Sequence, residues 1–164
     1  MVVIAADLKY YLSGGADNRD SDAALGGVMS TYDLIPDGVL ANLFDDVANS
    51  ELSSDTEYRC YYIVNEHATD TLFSAEVFIG TVAAGTTIAI GLDPAGINGT
   101  ATTIANESTA PAAVSFTSPT SSPGLAIGNL TAGDFQAIWV RRVTSSASQA
   151  PDDRVTLTHE GTDV

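Results

Sequence analysis

The chain has 164 residues, 45% of them hydrophobic, and carries 21 acidic against six basic side chains for a formal charge of −15. That length closes one ordinary domain core, and that apolar content excludes a disordered acidic tail. Phosphate contacts need clustered cations, which six basic residues among 21 acids do not supply, so a nucleic-acid-binding face is excluded too.

Taken in chain order, Met1 to Ala6 is apolar but is cut off by Asp7 and has no basic leader. It makes a poor signal peptide, and the protein is expected to stay where it is made. No apolar run reaches bilayer length. Leu8, Tyr10 and Leu12 then share one face of a first strand, with Lys9 and Tyr11 opposite. Ser13 to Gly27 follows as a projecting loop region, with the polar Ala16 to Leu25 between Gly14-Gly15 and Gly26-Gly27; two ordinary glycine turns are the plainer reading, and a loop that grips a neighbouring subunit is the functional one. Ile35 to Val47 places Val39, Leu40, Leu43, Phe44 and Val47 near helical spacing with Asp37 as N-cap; a turn followed by a strand fits equally well.

Period two dominates from there on. Tyr58, Cys60, Tyr62 and Val64 share a face, with Arg59 and Tyr61 opposite. Phe73, Ala75, Val77 and Ile79 form the next strand, then Ile88, Ile90 and Leu92. Phe135, Ala137 and Trp139 alternate with Gln136, Ile138 and Val140, the pattern of a strand covered on both faces. Val155 and Leu157 close the set. Turn chemistry falls at Ala84-Gly85, Asp93 to Gly96, Pro119 to Gly124 and Thr131 to Asp134. The expectation is a single all-β domain over 1–164, an antiparallel two-sheet β-sandwich of jelly-roll or immunoglobulin-like type with at most one short helix.

The acids are mostly Asp, Lys9 is the only lysine, and the neutral surface residues are Thr, Ser, Ala and Gly. Such a surface repels itself at low ionic strength. In ~1 M salt the screening length falls to about 3 Å and the repulsion is largely removed. This reads as a halophile's surface, with an acidic mesophilic protein kept soluble by its charge as the alternative.

Few residues invite chemistry. Asp17, Asn18, Asp20 and Asp22 crowd oxygen donors into a glycine-flanked loop, the raw material of a Ca²⁺ or Mg²⁺ site, though without the distal bidentate Glu of an EF-hand; a solvated acidic loop is the plainer reading. No other cofactor is implied. His67 and His159 stand far apart outside any catalytic motif, so no enzyme is expected. Cys60 reads as a small core hydrophobe, unable to form an internal disulfide as the sole cysteine. Trp139 reads as a sandwich-core anchor. Arg141 and Arg142 leave their strand on opposite faces; one suits a salt bridge across a subunit contact and the other caps the sandwich. Sequons stand at Asn98, Asn106 and Asn129, and in a Thr-rich chain such triplets arise by chance.

Several strings together resemble a known family: Leu8 to Ala16 (LKYYLSGGA), Leu25-Gly26-Gly27, Asn42 to Val47 (NLFDDV), Asp55 to Cys60 (DTEYRC), Asn65 to Thr69 (NEHAT) and Ala137 to Arg142 (AIWVRR). The series is similar to small structural proteins encoded by tailed phages and found in their virions. The lysine-poor composition departs from a bacterial phage member and points to a virus of a halophilic archaeon. What the resemblance implies is a non-catalytic virion protein, assembled in the host cytoplasm, whose partners are other virion proteins and copies of itself, with no nucleic acid and no membrane. Capsid decoration stands ahead of a tail, neck or baseplate role. A carbohydrate or host-surface binding module, using Tyr10, Tyr11, Tyr32, Tyr61 and Tyr62, is the alternative from a different class.

Overall fold

Alternation in this chain is strong enough to fix two faces per strand, and the computed structural model, which describes residues 2–32, 43–44, 55–82, 86–144 and 155–162, follows it. Seven strands are described: β1 (Leu8–Leu12), β2 (Thr56–Asn65), β3 (Leu72–Val82), β4 (Thr86–Leu92), β5 (Leu125–Leu130), β6 (Phe135–Thr144) and β7 (Val155–Thr162). They form a four-stranded sheet in the order β1-β2-β6-β4 and a three-stranded sheet in the order β5-β3-β7, and every pairing is antiparallel. The protein is an all-β two-sheet sandwich. Its four-plus-three split has the strand count of a constant-type immunoglobulin domain, but the order differs, since that arrangement places the fifth strand where β6 lies here. The helical elements among the described residues are two single 3-10 turns, Ala5–Asp7 and Ser21–Ala23. The stretch Ile35 to Val47 lies outside the described residues except for Leu43 and Phe44, both buried.

The space between the sheets is filled by Tyr61 and Ile63 of β2, Ile138 and Val140 of β6, and Ile88 and Ile90 of β4. Ala75, Val77 and Ile79 of β3 face them, with Ile127 and Leu130 of β5. Each large aliphatic side chain enclosed there contributes about 1.5–3 kcal/mol. One position departs from simple alternation. Ser74 takes φ 50° at a bulge in β3, which shifts parity by one residue, so Leu72 and not Phe73 joins the core. β5 escapes recognition in the sequence for the same kind of reason: Gly128, at φ 105°, interrupts its pattern within six residues.

The wide sheet has a second core on its outer face. Tyr58, Cys60 and Tyr62 of β2 and Ala137 and Trp139 of β6 are buried there under Leu25, Met29, Ala101, Ile104, Val114 and Phe116. Trp139 is fully buried, but beneath this loop layer and not between the sheets, which corrects the sandwich-core placement. Residues 13–27, expected to project, are pinned at both ends: Ser13 and Ala24 are buried, and Gly26 lies against Thr102 and the Trp139 ring. The stretch from Ala16 to Ala23 between them is largely exposed.

Candidate interaction surface

The loop layer is held by a small number of polar hubs. Asp93, at the end of β4, is 2% exposed and has three N–H donors at 2.9 Å. Ala95 N donates to Oδ1, while Thr102 N and the Trp139 indole Nε1 donate to Oδ2. A buried carboxylate is tolerable only when its lone pairs are filled, and here backbone and indole donors fill them. Tyr62 is the second hub: its hydroxyl donates to Gly27 O at 2.6 Å and accepts from Ala101 N at 2.8 Å. Burial pushes the phenol up to about 12, so it stays a donor under all ordinary conditions. Gly26 sits at φ +87°, and a Cβ there would lie 1.8 Å from Thr102 O, so only glycine lets the two loops cross.

Arg59 joins both loops to the sheet. Its side chain is 1% exposed, and its Nη2 lies 3.2 Å from Asp22 Oδ1 and 2.6 Å from Glu107 Oε2. β1 ends opposite Tyr61, so this part of β2 has an open edge. The loops fill it: Cys60 N donates to Ala24 O and Tyr58 N to Glu107 O. Neither Arg59 nor Asp93 was singled out in the sequence as a tie of this kind, although parity with Tyr61 and Ile63 already turns Arg59 inward.

The same parity decides Arg142. It follows Ile138 and Val140 onto the inner face, is 3% exposed, and pairs with Glu57 directly across the β2–β6 ladder, Nε to Oε2 at 2.7 Å. Burial raises the Glu57 carboxyl and the Arg142 guanidinium opposes that rise. Phe44 lies beneath both arginines, with ring centroid distances of 4.7 Å to Arg142 and 5.6 Å to Arg59. Arg142, one of the two arginines expected at a subunit contact, is therefore paired inside the subunit. Arg141 points to the other face, half-buried, 5.4 Å over the Phe116 ring.

The acidic loop does not converge on an ion site. Asn18 donates to Ser13 O and Asp20 O, Asp20 Oδ1 accepts from Asp22 N, and Asp22 is drawn to Arg59. Among the described residues no group of three or more His, Cys, Asp or Glu is arranged to hold a metal. Asn18 and Asp20 serve as turn caps and Asp22 as an ion-pair partner, while Asp17 is exposed.

The other titratable groups also have internal work. His67 Nδ1 accepts from Thr69 N and Asp70 N and shapes the turn before β3. The Thr69 hydroxyl holds the Asp70 carboxyl below its ordinary value. His159 lies 4.9 Å from the Tyr10 ring, with Nε2 2.8 Å from the Tyr61 hydroxyl, and burial drives its pKa down to about 3. Cys60 is fully buried and its thiol is pushed up by desolvation. Each tyrosine is engaged: Tyr11 donates to Glu66, Tyr58 packs on Phe116, and Tyr32 lies 3.7 Å under the Arg19 guanidinium, beside Tyr10, Tyr61 and Tyr62 already placed. The sequon asparagines have roles of their own. Asn98 bridges Asp134 and Phe135 N, Asn106 Oδ1 caps its own turn, and Asn129 Oδ1 accepts from Ser74 N.

The far face of the small sheet is among the exposed surfaces of the described residues. Thr156, Gly80, Ala126 and Glu160 are exposed there, around half-buried Phe78, Thr158 and Glu76. Hydrogen bonds from Ser122 and from Gly124 N hold the Glu76 carboxyl below its ordinary value, so it stays ionised directly opposite Glu160. No helix of the described residues is long and apolar enough to cross a membrane. Comparison with protein-family models, with curated proteins and with solved structures finds no match for this chain.

Proposed function

We propose that this chain is a structural subunit of a tailed-virus particle, working through contacts with other virion proteins, with capsid decoration favoured over a tail, neck or baseplate position. The observation that carries the reading is how the molecule spends its reactive side chains. Arg59, Arg142, Glu57, Asp93, His67, His159 and Cys60 are all committed to holding sheets and loops together. A sandwich whose wide sheet is sealed on both faces by its own chain is a rigid block with a thin acidic exterior, suited to adding buried area between larger subunits. The resemblance of those strings to small virion proteins adds to the reading. The acid excess suits assembly in concentrated salt, where like-charged subunits approach within a short screening length. The ring packing of Tyr10, Tyr58, Tyr61 and Tyr62 against other aromatic groups favours the structural role over a sugar-binding one, which needs aromatic faces free for stacking.

The test is to tag the chain in the cells that produce the particle, band intact virions on a density gradient, and quantify the chain by mass spectrometry. Symmetric incorporation predicts many copies per particle, in fixed ratio to the major capsid protein. Recovery only in the free protein fraction contradicts the proposal.

A further inference from the structure

We infer that β7 is a self-association edge, on which a second copy of the chain pairs its own β7 antiparallel across a two-fold axis at Thr158. The inference deepens the subunit reading above by naming one partner and one contact.

Sheet edges are normally blunted by bulges, short length, proline, lysine or a covering segment. Three of the four edges here show such protection. On β4, Ile90 exchanges hydrogen bonds with Thr117 at 2.8 and 2.9 Å, and Ser118 Oγ donates to Ile88 O. β5 is six residues long and carries an extra residue beside Gly128. β1 is five residues long, carries Lys9, and its Leu12 O accepts from Ser30 N.

Among the described residues β7 shows none of these protections. It runs eight residues, VTLTHEGT, without proline or lysine. Both irregularities of the β3–β7 ladder insert their extra residue on β3: three steps from Phe73 to Glu76 match two from Thr162 to Glu160, and two from Ile79 to Thr81 match one from Leu157 to Thr156. β7 itself is therefore unbroken, and no described hydrogen bond reaches its outer edge. Val155, Thr156 and Thr158 are β-branched strand formers around Leu157.

An antiparallel edge is self-complementary under a two-fold axis. Centred on Thr158, the pairing sets Thr158 against its copy, Leu157 against His159, and Thr156 against Glu160. Threonine pairs and apolar–aromatic pairs stabilise neighbouring strands. The two Glu160 carboxylates stand four residues apart along the strands, about 13 Å. That exceeds the screening length of about 8 Å at physiological ionic strength and far exceeds the ~3 Å of 1 M salt. Val155–Thr162 holds one acid in eight residues, Glu160, with Glu76 beside it on β3, a low charge density for a chain of charge −15.

The full chain is examined by sedimentation velocity in 0.1 M and 3 M NaCl, and as the single-cysteine additions Thr158→Cys and Thr156→Cys under mild oxidation. The mass should move from the 16.9 kDa monomer towards twice that value as salt rises. Thr158→Cys should cross-link to a dimer, since directly opposed residues have Cα atoms about 4.5–5.5 Å apart. Thr156→Cys should stay monomeric, its copy lying about 13 Å away. A monomer at both salts, or equal cross-linking at the two positions, overturns the inference. Dimers that form as described while the chain never bands with virions would sink the subunit proposal alone; virion incorporation of a chain that never dimerises would sink only this one.

Discussion

Replacing Asp93 probes the loop layer at its centre. Asp93→Ala strips the Trp139 indole N–H and the Thr102 N–H of their acceptor in a place water does not reach. An unsatisfied buried donor costs about 1–3 kcal/mol, so two of them, with the Ala95 N–H partly re-solvated, predict a loss of about 3–5 kcal/mol. That is a large share of the roughly 5–15 kcal/mol a domain of this kind possesses. Asp93→Asn keeps the shape but turns an amide N–H₂ towards at least one of those donors, and should lose about 2–4 kcal/mol. Trp139 is the only tryptophan, so urea unfolding in molar salt can be followed by its fluorescence, with a red-shifted native emission as a second signature. Asp17→Ala, on the exposed loop, should change stability by less than about 0.5 kcal/mol. If Asp93→Asn fell within that same margin, the carboxylate would not be organising the layer and the reasoning would fail.

Gly26→Ala forces a Cβ onto Thr102 O at positive φ and should destabilise by more than ~3 kcal/mol, whereas Gly133→Ala, at φ +85° with nothing near its Cβ, should lose only about 1–2 kcal/mol; equal thermal shifts would contradict the crossing of the loops. Arg142→Ala leaves Glu57 buried without its partner and should cost about 3–5 kcal/mol, while the double change Arg142→Met with Glu57→Leu should recover most of it. No recovery would argue that Arg142 has another role. His159 is neutral when folded, with a pKa of about 3 against 6.5 unfolded, so its contribution is complete above pH 6.5 and is lost as pH falls from there towards 3. The slope approaches 1.4 kcal/mol per pH unit for one proton taken up on unfolding. His159→Gln should flatten the pH 6.5–4.5 limb of the denaturation curve, and an unchanged limb would place the ring in water. Lowering salt from ~1 M to ~0.1 M lengthens screening from about 3 to about 10 Å and should lower the unfolding midpoint; a flat response would remove the halophile inference.

Period-two alternation made most of the sandwich legible, because β2, β4 and β6 keep strict parity over seven to ten residues. It failed where a bulge resets parity, at Ser74 in β3, and where a strand is short and glycine-broken, at Gly128 in β5. The second core left almost no trace. Its cover is made of Leu25, Ala101, Ile104, Val114 and others scattered through loops with no period, and its ties run through single polar atoms of Asp93, Tyr62 and Arg59. Arg142 shows what parity alone can and cannot do. Ile138 and Val140 already fix the face it shares, yet nothing local reveals that Glu57, 85 residues away, waits across the ladder. The aspartates of residues 17–22 looked like cation ligands for their spacing, but a local turn bond takes Asp20 Oδ1 and Arg59 takes Asp22 Oδ1.

The subunit reading is tested most directly by a three-dimensional reconstruction of the virus particle. The account predicts density that fits this seven-stranded sandwich at symmetric positions on the particle surface, with the wide sheet's loop layer intact and neighbouring subunits against its exterior. A particle with no such density, alongside a chain that stays monomeric in the cell and turns over a substrate, would contradict it.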